Sequence, residues 1–256
     1  MTRDLAVATW DGYTADVLAE ACGVPHLEVL AETDSTQNIA HALAENGAPS
    51  GTVVLADVQR AGRGRLGRTW ASPPGLGVWC TVLERPTDAR VMDMLSLRVG
   101  LYVAEALDRF ADARVGVKWP NDMMLEGGKL GGVLVEARWS GPSLAGVAIG
   151  VGINVVAPTD VPGASGLTQN ARRTDVLVAI VRAVRSAAAA IGPFTNEERA
   201  RYGARDVLTG CRIVAPAVGT VTGITASGSL VVETARGSER FRTGTIRLAE
   251  DQGGHA

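Results

Sequence analysis

One segment, Gln59–Trp70 (QRAGRGRLGRTW), constrains this chain more than any other. Four arginines (Arg60, Arg63, Arg65, Arg68) and three glycines (Gly62, Gly64, Gly67) fall within nine residues. A string this charged and this poor in apolar side chains cannot enter a core. Arginine presents a rigid fork of donors that fits phosphate or carboxylate, and glycine lets the backbone take positive φ and come close to a ligand. Two β-type runs flank the string, TVVLADVQ (52–59) and GVWCTVLE (77–84), the second after the turn cluster Ser72-Pro73-Pro74-Gly75. The pattern predicts an anion-seeking loop held between two strands. With few side chains to dock and mutually repelling arginines, it is expected to be disordered until a ligand arrives.

A second dense stretch, Lys118–Glu136, reads KWPNDMMLEGGKLGGVLVE. It contains the only two lysines of the chain, Lys118 and Lys129. Compositional drift toward arginine accounts for the excess of arginine elsewhere. A lysine kept under such drift marks a place where a compact ammonium on a flexible stem is needed. Pro120 excludes Trp119 from helical backbone and so ends a short buried strand, VGVKW, with Asn121 and Asp122 at its C-terminal edge. A turn at EGG then leads into a strand over 129–139, followed by another over 143–155. Gly131, Gly132, Gly150 and Gly152 strip side chains from these two strands, as expected of the floor of a groove for a flat, partly apolar ligand.

The remainder supplies a scaffold. Residues 4–22 predict one short amphipathic helix, too little for a helix-turn-helix. LEVLAET (27–33) predicts a strand, followed by Asp34-Ser35-Thr36 and a helix closed by Gly47. Ser35 and Thr36 admit two readings equally: plain helix caps, or hydroxyls holding a polar ligand group at a helix N-terminus. Helical spacing predicts a core helix over 89–110, an amphipathic helix over 174–191 and a polar one over 196–205, with a loop over 157–171. Beyond residue 206 short β runs recur between turn signals, as in a small barrel. The expected division is therefore 1–205 and 206–256.

Several function classes are excluded or disfavoured. The net charge of −2 and the scarcity of aromatics among the basic residues argue against a nucleic-acid clamp. No membrane span or signal-like N-terminus is evident, and three dispersed cysteines (Cys22, Cys80, Cys211) suit a reduced, cytoplasmic setting. There is no Ser-His-Asp set, no Cys–His pair and no Walker loop, and His26, His41 and His255 stand apart from the motifs in sequence. His26 is expected in a turn. What remains is a set of cations, glycines and amides with Asp122 and Glu136 as its acids. Such a set suits binding of a triphosphate and electrostatic stabilisation of its transition state.

Taken together, DST (34–36), QRAGRGRLGRTW (59–70), KWPND (118–122), KLGGVLVE (129–136), GVGIN (150–154) and GTIRL (244–248) resemble the biotin–protein ligases (biotin–acetyl-CoA-carboxylase ligases) of the monofunctional type, without an N-terminal DNA-binding domain. The resemblance implies an α+β fold like that of class II aminoacyl-tRNA synthetases, with a mixed sheet and helices, followed by a small SH3-like barrel. It implies biotin and MgATP as substrates, biotinyl-5′-AMP as intermediate, and transfer of biotin to a lysine of a biotin carboxyl carrier domain. Neither DNA nor membrane is an expected partner, and the state implied is a monomer or weak homodimer.

Carried over residue by residue, the biotin contacts would be Ser35, Thr36, Gln37, Gln59, Gly62, Arg63, Gly64, Arg65, Lys129, Gly132, Gly150 and Gly152. Arg65, Arg68, Trp70, Lys118, Asn121 and Asn154 would meet ATP or the adenylate, with Mg²⁺ held through the phosphates. Lys129, Arg65 and Asp122 would carry the chemistry, Lys129 sitting between the biotin carboxylate and the α-phosphate. For Asp122 a general-base role and a structural turn role stand side by side. Two departures stand out: Gln37 replaces the usual Asn, and Gly131 stands where Ala is frequent. Lipoate and octanoate ligases share the fold, but their RRxxGGG loop and histidine motif are absent here; a non-catalytic biotin binder is the other alternative.

Overall fold

The computed structural model describes residues 5–6, 9–141 and 143–249. Eight strands form the main sheet: β1 (Leu5–Ala6), β2 (Leu27–Thr33), β3 (Thr52–Gln59), β4 (Gly77–Glu84), β5 (Gly116–Lys118), β6 (Asp122–Leu125), β7 (Gly128–Ser140) and β8 (Ser143–Asn154). They lie in the order β1-β2-β3-β4-β8-β7-β6-β5. Only β2 and β3 are parallel, joined by the crossover helix α2 (Thr36–Glu45); the other neighbours are antiparallel, so the sheet is mixed and the fold α+β.

Side-chain alternation sends every second residue to the same face. Val53 and Leu55 of β3, Val78 and Val82 of β4, and Val147, Ile149, Val151 and Ile153 of β8 join one large core. That core is completed by α1 (Ala15–Cys22), α3 (Leu95–Leu107) and α4 (Arg173–Ala188). Val54, Ala56 and Ala148 point the other way and meet α2 in a small second cluster with Leu30 and Ala40. Strands buried on both faces read as continuous apolar runs, which is why TVVLADVQ and GVWCTVLE were legible as strands.

The chain then passes through α5 (Asn196–Gly203) into a second, five-stranded sheet. Its strands β9 (Arg212–Ala215), β10 (Gly219–Ile224), β11 (Leu230–Thr234), β12 (Gly237–Phe241) and β13 (Arg247–Leu248) run in the order β12-β11-β10-β9-β13. Ile213, Val221, Leu230 and Val232 of this sheet belong to the same buried cluster as α3. Gly228 takes φ 77° where the chain turns beneath α3, and a Cβ there would lie 2.6 Å from Leu97. The indole Nε1 of Trp119 donates to the Gly228 carbonyl at 3.0 Å and so ties the end of β5 to this turn. Arg98 (α3), 1% exposed, donates through Nε to Glu198 (α5) at 2.7 Å and spends its other nitrogens on the carbonyls of Ala190, Gly192 and Pro193. A buried guanidinium satisfied this fully fixes how α5 leaves the main sheet.

Several boundaries differ from the sequence reading. The helix expected over 4–22 is confined to Ala15–Cys22, capped by Thr14 and closed by Gly23 at φ 69°, while Leu5–Ala6 pair with β2. The helix expected over 89–110 is α3 flanked by 3₁₀ turns at Ala89–Asp93 and Asp108–Phe110, because Met94 adopts φ −120° and interrupts it. The end of α2 agrees with the sequence: Asn46 is the C-cap and Gly47 closes the helix at φ 82°, its N–H donating to the Ala44 carbonyl at 3.2 Å and that of Ala48 to the Leu43 carbonyl at 2.9 Å. The run ERFRTGTIRLA divides into β12 and β13. Strand β6 has only four residues, too few to show a period of their own.

Candidate active site

The register of the sheet builds the floor of a cavity. On the face opposite α3 and α4, one row across four strands reads Trp79, Gly152, Gly132, Asp122. The next row reads Thr81, Gly150, Leu134, and the one after it Leu83, Ala148, Glu136. Glycine thus occupies the middle of two successive rows, and the trough ends where Ala148 begins to fill it. Two side chains descend into the trough. A Cβ on Gly152 would stand 2.6 Å from the indole nitrogen of Trp70, and one on Gly150 would stand 2.9 Å from Nε2 of Gln37. Gly131 faces the other way, against Ile153, and belongs to the core.

The arginine loop roofs this trough. It closes on itself through a bridge between Arg63 and Thr69, with Gly64 N–H donating to the Arg68 carbonyl at 2.7 Å and Trp70 N–H to the Gly62 carbonyl at 2.8 Å. At its tip Leu66 takes φ 58° and is 74% exposed. A left-handed leucine carries strain of about 1–3 kcal/mol, the kind stored at ligand-binding segments. Trp70 leans edge-on against Trp79, ring centroids 6.2 Å apart.

The cavity measures about 190 Å³, and its wall carries five cations (Arg63, Arg65, Arg68, Lys118, Lys129) against a single carboxylate, Asp122. Lys129 Nζ lies 2.7 Å from Asp122 Oδ1 and 5.3 Å from the centre of the Trp70 ring. Its backbone is fixed on both sides. The N–H donates to the Gly163 carbonyl at 2.7 Å, and the carbonyl accepts from Ser165 N–H at 2.9 Å and Asn154 Nδ2 at 3.3 Å. Arg65 reaches Asn121 Oδ1 at 3.4 Å, and Asn121 Nδ2 donates to the Val133 carbonyl at 2.8 Å. Burial pulls the Arg65 guanidinium below its ordinary value, opposed by the nearby Asp122 charge and assisted by Arg68. A site with this surplus of cation, half withdrawn from water, is built for an anionic ligand.

The N-terminus of α2 resolves the two readings of Ser35 and Thr36 differently for each. Gln59 Oε1 accepts from Thr36 N–H at 3.0 Å and from Thr36 Oγ1 at 3.2 Å, so the long amide of β3 does the capping. Thr36 Oγ1 also contacts Thr81 Oγ1 at 2.8 Å, and Gln59 Nε2 donates to Ser72 at 2.9 Å. Both Thr36 and Gln59 are therefore engaged within the protein. Ser35 stands at the N-cap with no capping bond; its hydroxyl is buried without a partner, as are Gln37 Oε1 and Trp70 Nε1. Leaving a buried polar atom unpaired costs about 1–3 kcal/mol, and three of them on one wall mark where ligand atoms belong.

Most sequence-predicted site residues converge on this wall: Ser35, Thr36, Gln37, Gln59, Arg63, Gly64, Arg65, Arg68, Trp70, Lys118, Asn121, Asp122, Lys129, Gly132, Gly150 and Gly152. Two do not. Gly62 packs inside the loop, where a Cβ would meet the Trp70 carbonyl at 2.5 Å, and Asn154 lies buried beneath Lys129, holding its carbonyl. The arginines do not simply repel one another: Arg60 pairs with Asp34 and Glu32, and Arg63 with Glu136. A further correction concerns His41. Rather than standing apart from the motifs, it is buried on α2 and contacts Glu136 Oε2 at 3.2 Å. His255 lies outside the described residues. The sequence reading missed Leu66, Leu134 and Gly244–Ile246 on the wall. Alternation from Gly132 would have found Leu134. The GTIRL motif flagged the last segment, but nothing local told that Thr245 meets Arg68 Nη2 at 3.3 Å.

Residues 29–154 match the model of the biotin/lipoate A/B protein ligase family. The bifunctional ligase/repressor BirA of Bacillus subtilis is 42% identical over 130 residues, 50% of this chain and 40% of that protein. The biotin–[acetyl-CoA-carboxylase] ligase of Paracoccus denitrificans is 41% identical over 143 residues, 54% of this chain and 59% of its own length. The chain thus spans roughly half the length of these relatives. The biotin protein ligase of Aquifex aeolicus, solved in complex with biotin and ATP, superposes with a TM-score of 0.73 at 26% identity, over 88% of this chain and all of that one.

Proposed function

We propose, from the premise that residues 29–154 belong to the biotin/lipoate A/B protein ligase family, that this chain is a biotin–protein ligase, activating biotin with ATP and passing it to a carrier lysine. The observation that carries the reading is the polarity of the cavity beneath the loop: orphaned neutral groups (Ser35 Oγ, Gln37 Oε1) at the α2 end, and Lys129, Arg65 and Arg68 beside Asp122, Asn121 and Thr245 at the other. Biotin has the same polarity, a neutral cyclic urea at one end and a carboxylate at the other. The urea presents N–H donors to Gln37 Oε1 and a carbonyl to Ser35; the apolar ring system lies along Gly150, Gly152 and Leu134.

In the first step a biotin carboxylate oxygen attacks the α-phosphorus of ATP. A P–O bond forms, the α–β bond breaks and pyrophosphate leaves. Two anions must be brought together, and Lys129, with Arg65 from the loop, supplies the opposing charge in a partly dehydrated site. No protein nucleophile is needed. Trp70, Arg68, Lys118 and Asn121 flank the place of the nucleotide, and Asn154 acts by holding the Lys129 backbone. In the second step the amine of the carrier lysine attacks the carbonyl carbon, a C–N bond forms, and AMP leaves. Asp122, 2.7 Å from Lys129, is the carboxylate within reach of the proton released.

Among the described residues no three His, Cys, Asp or Glu side chains converge as a metal site. Mg²⁺ is read as an ion that the phosphates would carry into the site, where it would offset their charge. The carrier is the biotin carboxyl carrier domain of a carboxylase. The main sheet is read as class II synthetase-like and the five-stranded sheet as an SH3-like barrel, with a boundary near residue 206. Three free cysteines suit the cytoplasm, and a monomer or weak homodimer is the expected state.

Biotin-dependent exchange of pyrophosphate into ATP tests the reading, with octanoate and lipoate in parallel. Exchange with biotin alone is the expected result. Exchange with octanoate or lipoate moves the chain to the sister activity, and none with any of them in folded protein leaves a biotin binder.

A further inference from the structure

The arginine loop arches over a second hollow, lined by residues 61–69 together with Leu134 and Glu136 of β7. Of its four arginines, Arg60 pairs at the base of the loop, while Arg65 and Arg68 reach only neutral partners, Asn121 and Thr245. Arg63 is the one that ties the closed part of the loop to a carboxylate: its Nη2 lies 2.8 Å from Glu136 Oε2. The same oxygen receives Nε2 of His41 at 3.2 Å. A carboxylate accepts only, so the imidazole donates from Nε2. The His41 side chain is 6% exposed and rides on α2, the helix whose N-terminus carries Ser35 and Gln37. One carboxylate oxygen therefore joins three elements: the loop that roofs the cavity, the strand that floors it and the helix that ends it.

We propose that Glu136 is the positioning residue of the arginine loop, clasping Arg63 so that the roof stays closed over the bound adenylate, with the buried ring of His41 aiming its carboxylate. The clasp lies one row beyond the Gly150 row and away from the reacting end, so Glu136 touches neither carboxylate nor phosphate. Its effect is on how tightly the roof holds ligand and how fast the roof opens. This rests on the ligase reading for its ligand, but the motion of the loop can be read without any ligand.

The test combines amide hydrogen exchange of residues 62–69 in the ligand-free protein with the kinetics of pyrophosphate exchange, in wild type, Glu136→Gln and His41→Gln. Glu136→Gln keeps the shape and removes the charge. Loop exchange should quicken about fivefold and KM for biotin rise about fivefold, the worth of one half-exposed charge-assisted contact, with kcat within about twofold. His41→Gln keeps both a donor and the Glu136 charge, folds independently of the first variant, and should show the same split at about twofold. Loop exchange unchanged in both variants would overturn the clasp, as would a fall in kcat with KM unmoved. If wild type shows no biotin-dependent turnover but loop exchange still responds to Glu136→Gln, the ligase reading fails and the clasp stands.

Discussion

The two faces of the main sheet are made from the same strands by opposite means. On the face toward α3 and α4, β8 presents Val147, Ile149, Val151 and Ile153, all buried in one core with the side chains of those helices. On the other face the same strand presents Ala148, Gly150, Gly152 and Asn154, and the space above is left to Trp70, Gln37 and unpaired polar atoms. One face is finished without a ligand and the other is not. Stability and function have thus been assigned to alternate residues of one strand, so a substitution's effect depends on its parity.

The largest test of that division is Lys129→Ala on the open face. Pyrophosphate exchange should fall by about 10²–10³-fold, the size of an electrostatic contact made in a transition state, while the thermal midpoint is unchanged. Near-normal exchange would sink the central role of this ammonium. Next comes a matched pair. Leu101→Ala, fully buried in α3, should cost about 2–5 kcal/mol in urea titration yet leave KM for biotin and ATP unaltered where the variant is folded. Gly152→Ala should do the reverse. Its new methyl would displace the Trp70 ring and raise KM for ATP about tenfold, the loss of roughly 1.4 kcal/mol of stacking. If Gly152→Ala unfolds the protein instead, the open face is structural after all.

The smallest effect is a pH dependence. Burial holds the His41 imidazole below its ordinary 6.5, partly offset by Glu136. The folded protein therefore refuses a proton that the unfolded chain accepts. The contribution is complete above the ordinary value and declines as pH falls through and below it. Urea midpoints should drop less on acidification in His41→Gln than in wild type, and equal drops would mean that the ring stays accessible to protons.

The legibility of the sequence follows the same division. β2, β3, β4 and β8 could be read because apolar runs and turn residues are local signals, and the glycine-thinned trough was foreseen from Gly132, Gly150 and Gly152. The charged loop was legible because a segment so rich in arginine and glycine cannot enter a core. What could not be read is whatever depends on pairing across distance. His41 has an ordinary position on an amphipathic helix, and its partner lies 95 residues on. Gln59 does the capping that Ser35 was placed to do, from 23 residues beyond Thr36, and only that exchange of duties frees the serine. β1 and β6, two and four residues long, are too short to carry a period.

The presence of Gly244–Ile246 on the cavity wall bears on how the protein is born. During synthesis the trough, the loop and Lys129 all leave the ribosome well before this segment, by roughly ten seconds at ordinary elongation rates. Throughout that interval one side of the chamber stays open to water. A chain halted short of Gly244 thus carries the trough and the arginine loop with one wall of the cavity missing.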